Sequence, residues 1–276
     1  MAGIEQPQGP KPTPTPAQRW PARFVCTSAD LAGEVCVTVW PTRHLRGPTR
    51  WFDEMYAWAE GIEPNSEQWS RIQLFVLERG LQALAQEQAE QVGVTLSYST
   101  VQRCDEQIDA LLRAHALVAH RLVVMLRGSI DSFTSHFRIR AVAEYLRTQR
   151  IPVGVRVTAP RLAMDLNAFS VVQPDFAKIL APAQAAAGAW DAMALEARFA
   201  GISERWLIAA GLQSQAQVQR AAQAGIGFGQ GAAVRPARRP RATRGGRLAA
   251  GGESRPAGAA PEAFALALAG SGRARV

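Results

Sequence analysis

The chain has 276 residues, 47% of them hydrophobic, enough to bury one large core or two ordinary ones. Its longest apolar runs, such as 122–126 and 264–269, are far shorter than a membrane-spanning helix requires. The formal net charge of +8 sits mainly at the ends: residues 235–276 carry nine arginines against two glutamates, which leaves the body near neutrality and excludes a basic nucleic-acid-binding face there.

Residues 1–21 form a Pro-rich leader, with Pro10, Pro12, Pro14 and Pro16 alternating with Lys11, Thr13 and Thr15. That composition favours an extended chain. It does not have the pattern of a signal peptide, so a cytoplasmic location is expected. Eight short Val/Ile-rich segments then read as strands: 23–28, 34–40, 94–99, 121–126, 153–158, 175–179, 205–210 and 226–232. The first two are separated by Ala29-Asp30-Leu31-Ala32-Gly33, a hairpin-like turn that predicts an antiparallel pair. Helical patterns separate most of the later ones, at 67–91, 105–118, 137–148, 190–200 and 214–224. Strands alternating with helices predict parallel pairing through crossovers, and eight of them suggest a closed barrel. An open doubly wound sheet uses the same units. From residue 238 the periodicity stops in an Arg/Gly/Ala-rich tail, and the chain divides into a leader (1–21), a barrel (22–237) and a tail (238–276). The tail offers the sole nucleic-acid contact expected, through non-specific attraction to phosphate.

Cys26, Cys36 and Cys104 make no C-x-x-C pair, and with His44, His115, His120 and His136 they give no zinc spacing. Gly225, Gly227, Gly229 and Gly231 lack the G-x-G-x-x-G phasing of a dinucleotide loop. Ser97 and Ser99 have no partner base in the sequence pattern, so a hydrolytic triad is not indicated.

Three ordered segments carry a resemblance. Pro174-Asp175-Phe176-Ala177-Lys178-Ile179 resembles the Asp-Tyr-Leu-Lys-Ile-Asp strand of EAL-type cyclic-di-GMP phosphodiesterase domains. Trp206 to Gln213 is similar to their Val-Ala-Glu-Gly-Val-Glu strand and turn, and Gly227-Phe228-Gly229-Gln230-Gly231 with Arg235-Pro236 is similar to their Gln-Gly-Tyr…Arg-Pro ending. The resemblance covers residues 22–236 and implies an α/β fold, a modified TIM (β/α)8 barrel with an antiparallel first strand pair. It also implies a cyclic-di-GMP phosphodiesterase using two divalent cations held by acidic and amide oxygens at the strand ends.

The ligand positions that the resemblance implies are altered. The glutamate of the Glu-Ala-Leu motif is matched to Val35, with Cys36 and Val37 completing the triplet and Val39 at its downstream arginine. Ser97 stands at an asparagine ligand, Met125 at a glutamate, Pro160 and Arg161 at paired aspartates, Leu180 at the acid after Lys178, and Ala210 and Gln213 at two glutamates. Hard cations need oxygen ligands, so these positions are read as vestigial and no metal or other cofactor is expected. Ala59-Glu60-Gly61-Ile62-Glu63 matches the later motif by letter but comes too early in the chain. Lys178 is the one lysine outside the leader; it is read either as pairing with Asp175 or reaching solvent, or as a ligand-binding group. Gln230 and Arg161 complete that candidate set. The expected function is a degenerate, catalytically inactive regulatory module acting through protein–protein interaction or self-association in cyclic-di-GMP-related signalling. The alternative is a non-hydrolysing cyclic-di-GMP receptor using Arg161, Lys178 and Gln230.

Overall fold

The computed structural model describes residues 23–27, 34–59, 61–63, 65–128, 133–158, 171–180 and 189–234. The leader (1–21) and the tail (238–276) fall outside these residues. So do residues 129–132, 159–170 (with Pro160 and Arg161) and 181–188.

Among the described residues nine strands form one sheet that closes on itself. They are β1 (Arg23–Thr27), β2 (Glu34–His44), β3 (Arg50–Trp58), β4 (Val92–Ser97), β5 (Leu122–Arg127), β6 (Val153–Thr158), β7 (Phe176–Leu180), β8 (Leu207–Ala210) and β9 (Phe228–Gln230). Strands pair in chain order, and an added pairing of β2 with β9 (Arg43 with Gly229, His44 with Phe228) makes β2 to β9 an eight-stranded barrel. β1 lies on the first half of β2, antiparallel, with Thr27 opposite Glu34. β2 is antiparallel to β3 and β9, and all pairs from β3 round to β9 are parallel. This is the modified TIM barrel with an antiparallel first pair; closure leaves its eight strands no free edge to cover.

The helices are α1 (Glu67–Ala85), α2 (Tyr98–Arg103), α3 (Asp105–Ala114), α4 (Ala116–Ala119), α5 (Phe133–Thr148), α6 (Ala189–Phe199) and α7 (Gln215–Gln223). Helix α1 starts where the Ser66 side chain accepts the Trp69 amide at 3.1 Å. It buries Trp69, Ile72, Gln73, Val76, Leu77, Leu81 and Leu84, the three-to-four spacing of one face. Gly80 lets that face approach the sheet, since a Cβ there would lie 3.1 Å from Val92. Helix α7 carries a capping box between Ser214 and Gln217.

Two departures from the sequence reading matter for function. Strand β2 continues through Pro41 to His44, and β3 is an entire strand that the sequence reading leaves out. The run Arg50-Trp51-Phe52-Asp53-Glu54-Met55-Tyr56-Ala57-Trp58 carries adjacent acids, which neither an apolar nor an alternating strand pattern admits. The helix expected over 105–118 is broken at His115 into α3 and α4, and residues 98–99, expected to end a strand, open α2 instead.

Candidate functional site

The interior is built from alternate residues of the strands. Its floor is apolar: Phe52, Val123, Met125, Phe176 and Ile208 pack together, with Trp51 and Phe228 against them. The Trp51 ring centroid lies 5.0 Å from that of Phe176 and 4.7 Å from that of Phe228. Gly93 and Gly154 make room for the floor, because an added Cβ would fall 2.5 Å from the Phe52 ring and 2.3 Å from the Phe176 ring.

Above the floor sits a buried carboxylate, Glu54, at 1% exposure. Lys178 of β7 donates to Glu54 Oε2, which also accepts Gln230 Nε2 of β9 at 2.7 Å. Thr95 Oγ1 of β4 donates to Glu54 Oε1 at 3.1 Å. β3 does not neighbour β7 or β9 in the sheet, so these bonds cross the barrel interior. Gln230 Nε2 reaches Trp40 O at 3.3 Å and Thr42 Oγ1 at 3.4 Å as well, tying the cluster to β2.

The electrostatics follow from burial and neighbours. Burial pushes the Glu54 carboxyl upward, but Lys178 and Arg156 together with the Lys178 and Gln230 hydrogen bonds hold it below the usual carboxylate range. Burial presses the Lys178 ammonium below the usual lysine range; Glu54 opposes that and Arg156 adds to it. Nearer the C-terminal mouth, Arg127 ends β5, and Arg156 on β6 lies one residue beyond the paired Leu126 and Val155. Arg127 lies 5.6 Å from the Trp69 ring centroid and Arg156 lies 5.3 Å from that of Tyr56. Burial and the adjacent Arg156 push the Arg127 guanidinium down to about 10.

Two of the sequence candidates, Lys178 and Gln230, therefore converge on one carboxylate. Lys178 does not pair with Asp175 or reach solvent: its side chain is 5% exposed, while Asp175 accepts the Val153 amide at 2.8 Å and lies beside Arg147. The third candidate, Arg161, lies outside the described residues, as does Pro160. Of the positions read as vestigial, Val35 is in the main hydrophobic cluster, Met125 is in the floor and Ala210 is buried at the end of β8.

Ser97 ends β4 in a hydroxyl network. Its amide donates to Gln73 Oε1 at 2.9 Å, its Oγ accepts the Thr100 amide at 3.2 Å, and Oγ lies 2.8 Å from Thr100 Oγ1 and 2.9 Å from Ser99 Oγ. Ser97 thus caps α2 from a buried position. Ser97→Ala is expected to lower stability by about 1–2 kcal/mol, read by urea unfolding. A change within about 0.3 kcal/mol would mean that the network contributes nothing beyond solvent.

Sequence reasoning missed Glu54, Arg127 and Arg156. Glu54 is the one buried glutamate among the described residues, and its burial follows from partners distant in the chain that no local pattern marks. Among these residues no group of three or more His, Cys, Asp or Glu side chains could hold a metal ion. The described interior does not suit a cation pair. Its acid already accepts Lys178 and Gln230, and Arg156 adds positive charge where carboxylates would have to gather.

No family model matches the chain, and no curated protein matches it. Solved structures do. The Vibrio cholerae LapD S helix-GGDEF-EAL protein in its apo form is similar over 71% of this chain, with 14% identity and a TM-score of 0.56. The Bacillus subtilis YkuI protein, which has an EAL domain and is bound to substrate c-di-GMP and calcium, is similar over 71% of the chain, with 15% identity and a TM-score of 0.55. An EAL domain protein from Listeria monocytogenes EGD-e is similar over the same share, with 12% identity and a TM-score of 0.54. The match spans about half of the first two chains, 52% and 53%, and 85% of the third. The barrel closed by an antiparallel β2, with Lys178 and Gln230 turned into its centre, has the EAL-type fold.

Proposed function

We propose that the chain is a catalytically inactive EAL-like regulatory module in bacterial cyclic-di-GMP-related signalling, acting through protein–protein interaction. The observation that carries this reading is the charge at the barrel centre. Lys178 and Gln230 occupy the Glu54 carboxylate, Arg156 stands next to it, and Thr95, Met125 and Ala210 supply no further acid. Two-metal phosphodiester hydrolysis needs several anionic oxygens that bring cations together and activate a water. This interior presents the opposite sign.

Exposed apolar side chains support an interaction role. Leu195 and Phe199 lie one turn apart on α6, at 50% and 83% exposure. Such a pair outside a core suits contact with another protein.

The test is chromatography of cyclic-di-GMP incubated with the full chain and magnesium or manganese. No linear product is expected. Turnover that scales with protein through successive purification steps would overturn the reading. For the mode of action, crosslinking should recover a defined partner or self-association that Leu195→Asp with Phe199→Asp abolishes.

A second reading, a non-hydrolysing cyclic-di-GMP receptor, is favoured by the excess of cationic groups on the interior face. In it Lys178 and Gln230 act from beneath, through Glu54, together with Arg161. Metal-free calorimetric titration checks it: micromolar binding is expected under this reading, and no heat under the first.

A further inference from the structure

The N-terminal mouth of the barrel carries aromatic rings that the packing of the floor does not fully cover. His44 ends β2, Trp51 is second in β3, Trp206 stands one residue before β8 and Phe228 opens β9, so four strands bring their rings to one place. Phe228 stacks on Trp206 with centroids 6.2 Å apart and meets the His44 ring edge-on at 5.5 Å. Trp51 lies 5.8 Å from Trp206. Trp51 and Phe228 are half-buried, but Trp206 is left 41% exposed, with the Arg205 guanidinium 5.9 Å from its ring centroid. A tryptophan held on other rings in this way is a rigid apolar platform that loses little freedom when something covers it.

The chain that precedes β1 is directed at this mouth. Arg23 pairs with Thr38, and β2 runs on from Thr38 to His44, six residues that span roughly 20 Å. Pro16 is seven residues before Arg23, a reach of roughly 22 Å for a polyproline II chain. Pro21 and the earlier prolines have no N–H to donate, so this segment cannot prolong β1 as a regular ladder on β2. At three residues per turn, one edge of a polyproline II helix here carries Pro7, Pro10, Thr13 and Pro16.

We propose that the Trp206 platform is the dock of this chain's own Pro-rich leader, with residues 7–16 laid across the N-terminal mouth as a polyproline II helix. Three properties match. Proline rings pack flat on aromatic faces, and the polyproline II form is already extended, so docking costs little entropy. The covalent link to β1 holds the segment near the platform at an effective concentration on the order of millimolar, so a weak contact suffices. The contact is apolar and not ionic, because Lys11 and Arg19 have the same sign as Arg46 and Arg205 at the mouth.

The experiment uses the full chain and its unusual lysine content. Lys11 is the one lysine of the leader, and Lys178, at 4% exposure, is the only other in the chain. A succinimidyl diazirine therefore labels Lys11 and the α-amino group, and the peptides joined on illumination are mapped by mass spectrometry. Crosslinks from Lys11 are expected to concentrate on residues 44–51, 204–206 and 228 of the same chain, in high salt as in low. Glycine in place of Pro7, Pro10, Pro12, Pro14 and Pro16 should lower their yield several-fold, and so should Trp206→Ala or an excess of free peptide of residues 7–16. Crosslinks scattered over the barrel overturn the inference, as does a yield that the glycine leader leaves unchanged. Crosslinks joining two chains, separated by gel and by mixing isotope-labelled with unlabelled protein, also overturn it and assign the platform to a second copy. Should Trp206→Ala not fold, the glycine leader carries the test, since its changes lie outside the barrel. No cyclic-di-GMP enters these measurements, so their failure is distinct from failure of the regulatory reading.

Discussion

Glu54→Gln is expected to destabilise the protein by about 3–5 kcal/mol, measured by urea unfolding at neutral pH. The substitution keeps the shape but leaves the buried Lys178 ammonium without its counter-charge and next to Arg156. Lys178→Met should destabilise by a similar amount for the opposite reason, leaving a desolvated carboxylate. Combining Glu54→Met with Lys178→Met should recover much of the loss, since an ion pair this deep gains little over well-packed apolar groups. Single variants within about 0.5 kcal/mol of wild type would show that the pair is not the electrostatic centre described.

The same pair fixes the acid limb of stability. Glu54 is held below its ordinary value of 4.5 in the folded state. Above the unfolded value its contribution is fully present; as pH falls through the depressed folded value the carboxylate protonates and the contribution is lost. Urea midpoints followed downward from neutral pH should therefore fall more steeply for wild type than for Glu54→Gln, and the two curves should converge in acid. Parallel curves would place the acid sensitivity elsewhere.

Gly154→Ala is expected to destabilise the barrel by about 1–3 kcal/mol. The new Cβ would fall 2.3 Å from the Phe176 ring, against the 2.5 Å at Gly93 and Phe52. Phe176 is fully buried and its ring lies 5.0 Å from Trp51 and 6.3 Å from Phe52, so it has nowhere to move. Phe176→Leu should be destabilising alone but should rescue part of the Gly154→Ala loss, giving a coupling of about 1 kcal/mol in a double-mutant cycle. Strict additivity would contradict the described contact.

The distant partners of Glu54 are also the reason β3 escapes a sequence reading. Residues such as Val123, Val124 and Val155 declare strands because their side chains are apolar whatever surrounds them. Asp53 and Glu54 declare solvent or a turn until their partners are known. Asp53 pairs with Arg50, three residues away, but the partners of Glu54 come from residues 124 and 176 positions later in the chain. Nothing local signals that a glutamate will be desolvated and neutralised by a lysine so far away. The carboxylate beside Lys178 is Glu54, on the strand that the sequence reading leaves out.

By itself the sequence determined the parallel strand–helix units and the antiparallel opening pair. Each of these rests on short-range periodicity or on residue order, which survives without coordinates. Only the tertiary structure decided that β2 closes the ring against β9, that Lys178 is buried on Glu54, and that Arg127 and Arg156 stand side by side at the mouth. These are interactions between residues far apart in the chain, and barrel closure is what brings such residues within reach and removes the water that would otherwise weaken their charges.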